Sequence, residues 1–206
     1  MGWERPEGSC LAPGRSEPCS RSSSMPADPL REETRLLLRD YFQHCSDGGA
    51  CGQPPTPSPP SPGAAATLRR VSAEVHSLHR DFYASCLAAE ALRHQEPGAL
   101  LLSVARQMEE EGGLNWGRLV SLVVFAGVLL QRGGGGTESR LTDVLCDYLT
   151  KDKRQWLEAN GGWDGFNRFF DRRDPEQVQQ NGPIGNAIMA AAGFGLAGLA
   201  FLLVVR

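Results

Sequence analysis

The order of apolar and polar positions divides the chain into helices of unequal burial. Leu30, Leu37, Leu38, Tyr41 and Phe42 form a stripe on one face of a first helix. Asp28-Pro29 opens it: Asp28 supplies a cap, Pro29 suits the first helical position, and Glu32 and Glu33 favour the positive end. This helix is expected to end near Cys45. Proline and glycine dominate residues 46–65, which read as a flexible loop. From Ala66 a helix resumes, with Leu68, Val71, Val75, Leu78 and Phe82 at helical spacing. After a break at His94–Pro97, Pro97 starts another, with Leu101, Val104, Ala105 and Met108 on one face.

The next segment has no polar face. Gly112-Gly113 breaks the chain, Asn115 can cap, and Leu119 to Leu130 is apolar apart from Ser121. A helix apolar on all sides sits inside a bundle or a membrane. At roughly 16 residues it is short for a span, so a buried central helix is expected. Four glycines at 133–136 form a loop, and no Gly-Lys-Ser/Thr follows to make it a phosphate cradle. A helix from about Thr137 to Thr150 carries Leu141, Val144, Leu145, Tyr148 and Leu149. Two short helices follow, divided at Asn160-Gly161-Gly162, the second running from Trp163 to Phe170. No strand pattern is convincing.

The termini differ from this body. Residues 1–24 are rich in Ser, Pro and Gly and lack an apolar signal core, so they read as a disordered extension, with organised sequence beginning at Met25. Residues 25–175 make the bundle and 176–183 a polar linker. Ala187 to Val205 then runs 19 residues without a charge, about 28 Å of helix at ~1.5 Å per residue. Residues 184–206 are therefore expected to be a transmembrane tail anchor. Ala187, Ala191 and Gly195 fall four apart, as do Gly193 and Ala197, a small-residue face suited to tail-mediated self-association.

Composition narrows the function. A formal net charge of -3 gives no reason to expect nucleic acid as a partner. Six scattered cysteines form no Cys-x-x-Cys, and there is no glycosylation sequon, which suits reduced thiols in a bundle facing the cytosol. His76 and His79 lie at i, i+3, and His44-Cys45 precedes Cys51, but no zinc motif joins them. A membrane-anchored enzyme is thus a weak alternative, and no metal or cofactor is expected.

Asn-Trp-Gly-Arg-Leu-Val-Ser-Leu-Val-Val-Phe-Ala-Gly at 115–127 resembles the first homology motif of the Bcl-2 family. Trp-Leu-Glu-Ala-Asn-Gly-Gly-Trp-Asp-Gly-Phe-Asn-Arg-Phe-Phe at 156–170 resembles the second, including Trp156, Gly161, Gly162, Trp163, Asp164 and Phe166. The two occur in family order before the apolar tail, and the resemblance covers roughly residues 25–206.

The resemblance implies an all-α bundle around two central helices, near 115–131 and 137–150, with a surface groove. The groove receives a partner's amphipathic Bcl-2 homology 3 helix. It also implies a regulator rather than an enzyme, and pro-apoptotic relatives as partners. Arg118 would offer its fork to the partner's aspartate while still exposed before binding. Gly117 would let the two backbones approach, and Asn115 would cap the helix and face the partner's polar side. Trp116 would pack beneath the groove. Val75, Leu78, Phe82 and Tyr83, with Val104, Met108, Val120 and Phe125, are groove candidates that read equally well as core. Trp163 and Phe166 read as core, and Phe170 as a groove-edge contact.

One departure bears on polarity of action. The family's own third homology segment usually holds Leu-x-x-x-Gly-Asp, whereas this chain has Ser72-Ala73 after Leu68. Ala73 cannot pair with a neighbour's arginine, so the chain is expected to accept such helices better than it donates one. A tail-anchored anti-apoptotic regulator of the mitochondrial outer membrane follows, with the endoplasmic reticulum or nuclear envelope as other destinations. The alternative is a pore-forming pro-apoptotic member of the same fold.

Overall fold

In the computed structural model, residues 28–46, 62–88, 94–110 and 112–171 are described. The expected extension at 1–24, most of the loop at 46–65, the linker at 176–183 and the anchor at 184–206 lie outside them. Among the described residues all regular structure is helical: α1 Pro29–Ser46, α2 Pro62–Leu78, α3 Arg80–Ala88, α4 Pro97–Glu110, α5 Trp116–Arg132, α6 Thr137–Asp147, α7 Arg154–Ala159 and α8 Gly162–Asp171. A wider π-helical turn, Tyr148–Asp152, carries α6 toward α7. No helix among the described residues is long and apolar enough to cross a membrane.

Helix α5 is the axis. Every residue from Trp116 to Leu129 is buried. Helices α1, α2, α3, α4 and α6 all pack on it. The lack of a polar face in the sequence is thereby explained, since no side of α5 meets water along this stretch. Gly127 faces α1 closely: a β-carbon there would lie 3.2 Å from the Tyr41 hydroxyl and 3.4 Å from Cys45 Sγ.

Among the described residues α5 is the more deeply buried of the two expected central helices. Over the expected second one, 137–150, Leu141, Thr142, Leu145, Cys146, Tyr148, Leu149 and Thr150 are buried while Asp143 is exposed and Val144 half-buried. This helix is amphipathic, packed against α1, α4 and α5. Its Ser, Arg, Asp and Glu positions require water, and α5 does not.

Two boundaries shift from the sequence reading. Helix α2 starts at Pro62, not Ala66. Proline suits a first helical position, and Ala64 and Ala65 are buried against the core, so tertiary contact extends the helix into the Pro-rich stretch. The run expected to be one helix bends at His79 into α2 and α3, although amide–carbonyl bonds from His79 to Val75 and from Tyr83 to His79, both 3.1 Å, keep the chain coiled across the bend.

Polar links tie the outer helices. Asp28 begins α1, its carbonyl accepting from Glu32 N–H at 3.0 Å, and its carboxylate pairs with Arg154 of α7. Arg154, with help from the first-turn amides, holds the Asp28 carboxyl below the usual carboxylate range. Arg69 of α2 pairs with Asp40 of α1 at 3.2 Å, and both are largely buried. Glu109 of α4 receives the Tyr148 hydroxyl and the Lys153 ammonium, each at 2.5 Å. Burial and that carboxylate push the Tyr148 phenol far above its ordinary value.

Candidate functional site

The Asn-Trp-Gly-Arg turn sits at the N-terminus of α5 and is built from its backbone outward. Asn115 has an extended backbone, and its side-chain oxygen accepts from Arg118 N–H at 2.9 Å, the expected N-cap. Trp116 is buried against Trp156 (ring centroids 4.7 Å apart) and Phe166 (5.4 Å), so the first motif rests on the second. Leu114 is half-buried, and Asn115 alone of the four motif residues is exposed.

Arg118 departs from expectation. It is 4% exposed rather than open to solvent. Its Nη1 donates to the Gly113 carbonyl, and the guanidinium lies beside Gly112, where a β-carbon would stand 3.2 Å from Nη1 and 3.3 Å from Nη2. The N-terminus of a helix carries partial positive charge, and a buried guanidinium costs several kcal/mol of desolvation unless bonded, so the bond to the Gly113 carbonyl offsets part of that cost.

Gly117 is buried as well, and its carbonyl accepts from Ser121 Oγ at 3.0 Å. Gly117, expected to let a partner's backbone approach, is thus not presented at the surface of this structure.

The apolar candidates divide unevenly. Val75, Tyr83, Val104, Met108, Val120 and Phe125 belong to one buried cluster contributed by α2, α3, α4 and α5. In this state they are core. Leu78 is 50% exposed, and Phe82 is half-buried with its edge on Tyr83 at 5.4 Å. Leu78, Phe82 and Asn115 are the groove candidates that the surface presents.

The second motif forms the corner between α7 and α8. Gly161 (φ +81°) and Gly162 (φ +58°) are left-handed, which divides the two helices as expected. Trp156 is half-buried and Asp164 exposed, in the first turn of α8 where a carboxylate suits the dipole. Trp163 and Phe166 are core, and Trp163 Nε1 donates to Thr34 Oγ1 of α1 at 2.8 Å. Phe170, expected at the groove edge, is fully buried against Phe166, and its neighbour Phe169 is 44% exposed instead. The helical period of α8, anchored by Trp163 and Phe166, turns position 170 inward and 169 outward.

Three features carried weight that the sequence reading missed. Gly165 lies so close to the Asn160 carbonyl that a β-carbon would come within 1.8 Å of it. The Gly112-Gly113 turn seats Arg118. The third is the Arg69–Asp40 pair. The repeated glycines of Asn-Gly-Gly-Trp-Asp-Gly were the available signal for the first; the other two join residues whose meeting depends on tertiary packing. His76 and His79 are half-buried, and burial lowers both pKa values; His76 stacks on Tyr83 at 5.5 Å. Among the described residues no three His, Cys, Asp or Glu side chains gather to hold a metal.

The described residues thus form an all-helical bundle around α5, which opens on a capped Asn-Trp-Gly-Arg turn braced by a Trp-rich corner. Residues 68–163 match the family described as "Apoptosis regulator proteins, Bcl-2 family". The chain belongs to the Bcl-2 family: it is 51% identical over 181 residues to the anti-apoptotic protein NR13 of Gallus gallus, covering 86% of this chain and 98% of that one. It is 36% identical to Bcl-2-like protein 10 of Homo sapiens over 73% of this chain and 81% of the other. Among solved structures it is similar to the zebra-fish pro-survival protein NRZ bound to the Bad BH3 (TM-score 0.58, 37% identity, 68% of this chain and 94% of that). NRZ without peptide is similar to the same degree (TM-score 0.58, 38% identity, 70% and 95%).

Proposed function

We propose that the chain is an anti-apoptotic regulator that binds the homology 3 helix of pro-apoptotic relatives and so restrains permeabilisation of the mitochondrial outer membrane. It acts by binding and not by catalysis. The observation that carries this reading is the capped Asn-Trp-Gly-Arg turn at the start of α5, with its arginine held at the Gly113 carbonyl, in a chain 37% identical to a pro-survival protein solved with such a helix. The name of the NR13 relative supports the survival outcome over the executioner one. Ser72 and Ala73, where a donor segment would have Gly-Asp, point the same way: Ser72 is buried in α2 and Ala73 carries no carboxylate.

In this reading residues 184–206 tether the bundle to the membrane, with the mitochondrial outer membrane as the first expected destination and the endoplasmic reticulum or nuclear envelope as the others. The small-residue face at Ala187, Ala191 and Gly195 supplies a seam for tail association. Expression in cells given a death stimulus tests the function. Delayed release of mitochondrial contents is expected; release without any stimulus would establish the executioner instead.

A further inference from the structure

The bend that divides α2 from α3 is built on a histidine with no place for a second proton. His79 stands at the bend, half-buried, and its Nε2 is buried without a hydrogen-bond partner. A neutral imidazole tolerates this, because one of its ring nitrogens carries a lone pair and no hydrogen. An imidazolium does not: both nitrogens then carry N–H, and the one at Nε2 would be buried, charged and unpaired. The acidic residues nearest in sequence, Glu74 of α2 and Asp81 of α3, are exposed, and burial alone acts on His79, lowering its pKa from the ordinary 6.5. From α5 the charged group that reaches α3 is Arg132, which donates to the Cys86 carbonyl at 3.0 Å, at the other end of that helix. His76, one turn earlier, stacks flat on Tyr83, with 5.5 Å between ring centroids and 6° between planes. Burial first, then Arg80, lower its pKa, whereas the aromatic face would attract an imidazolium, so charging His76 pulls both ways.

From this arrangement we propose that the α2–α3 corner is a proton-sensitive hinge, closed while His79 is neutral and opened when it is protonated. The moving part is small. Helix α3 spans 9 residues, and two amide–carbonyl bonds of 3.1 Å, His79 to Val75 and Tyr83 to His79, carry the chain across the bend. Breaking them lets water reach the ring, which then takes its proton at the ordinary value. A histidine whose folded pKa is lowered favours the closed corner above 6.5 and penalises it as pH falls below that value. Leu78 and Phe82, the apolar groove candidates left at the surface, flank His79 on either side of the bend, so opening the corner separates them. That consequence, weaker docking of a partner helix in acid, rests on the helix-binding function proposed above; the hinge itself does not.

Amide hydrogen exchange on the full chain, normalised for intrinsic exchange at each pH, reads the hinge directly. Between pH 7.5 and 5.5 an exposed imidazole goes from nearly neutral to mostly charged, so protection of the Tyr83 amide should fall by up to roughly 10-fold while the amides of α5 keep theirs. His79→Gln carries no titrating ring and should abolish the fall; His76→Gln should keep most of it. No fall in the wild-type chain, or an equal fall in His79→Gln, overturns the hinge. Should His79→Gln fail to fold, the wild-type ring decides: a carbon-bound proton of His79 that titrates below 6.5 supports the hinge, and one that titrates at or above it rejects the hinge. No peptide is present in these measurements, so they decide the hinge whether or not the chain binds helices. Titrating a homology 3 peptide at both pH values then decides the link to the groove. Affinity should drop in acid for the wild-type chain and hold for His79→Gln; parallel behaviour of the two breaks the link, and no binding at either pH rejects the helix-binding function.

Discussion

At the scale of single residues, small groups carry the tightest constraints. Gly165 meets the Asn160 carbonyl so closely that any side chain must push the α7–α8 corner apart, and its own amide donates to the Gly161 carbonyl at 2.8 Å. Gly165→Ala should therefore cost about 3 kcal/mol or more, at the upper end of overpacking penalties, and lower Tm by roughly 6–12 °C. Gly162→Asn is the contrast. Its φ of +58° suits asparagine, and the nearest atom to an added β-carbon is 4.0 Å away, so it should cost about 1 kcal/mol or less. Thermal unfolding of the two variants checks the pair, and equal losses would contradict the close contact. The motif glycines were legible in the sequence as glycines, but their separate duties were not. Gly161 and Gly162 bend the chain, whereas Gly165 makes room for a carbonyl, and only packing distinguishes the two.

At the scale of elements, the helix starts are where local chemistry and tertiary contacts meet. Glu96 caps α4: its carboxylate accepts from Gly98 N–H at 2.9 Å and Ala99 N–H at 2.6 Å, and pairs with Arg140 of α6 at 2.7 Å. The Gly98 amide first, then the Ala99 amide and Arg140, hold its carboxyl below the usual glutamate range. A depressed folded pKa contributes stability that is fully present above the unfolded value, near 4.3, and is lost as pH falls through the lower folded value. Urea unfolding of wild type and Glu96→Gln should differ at pH 6 by on the order of 1 kcal/mol or less, since solvent screens a partly exposed pair, and converge as pH falls below the lowered folded value. A gap that persists or widens in acid would contradict the assignment.

Periodicity located α1, α4, α5 and α6 because each has either one apolar face or none that is polar. It misplaced the start of α2, since proline signals a loop as readily as a helix opening. It singled out α5 by its lack of a polar face, whereas the polar positions of α6 leave that helix half open to water.

At the scale of the whole molecule, the groove is where sequence and structure differ most usefully. The apolar groove candidates sit in the same buried cluster as the core, with Leu78 and Phe82 left at the surface. A sequence stripe cannot separate core from groove, because both demand apolar side chains at helical spacing. Arg118 was legible as the charged group of the site, but its seat under Gly112-Gly113 was not, since that contact depends on two left-handed glycine conformations. Of the Asn-Trp-Gly-Arg motif, Trp116, Gly117 and Arg118 are buried and Asn115 is exposed.

A double-mutant cycle on the full chain tests the central claim most directly. Wild-type and Arg118→Ala protein would each be titrated with a homology 3 peptide and with the same peptide lacking its aspartate. The account predicts saturable one-to-one binding of the first pair, a loss of roughly 10- to 100-fold for either single change, and little further loss for both together. Losses that simply multiply, or no saturable binding by the wild-type chain, would contradict it.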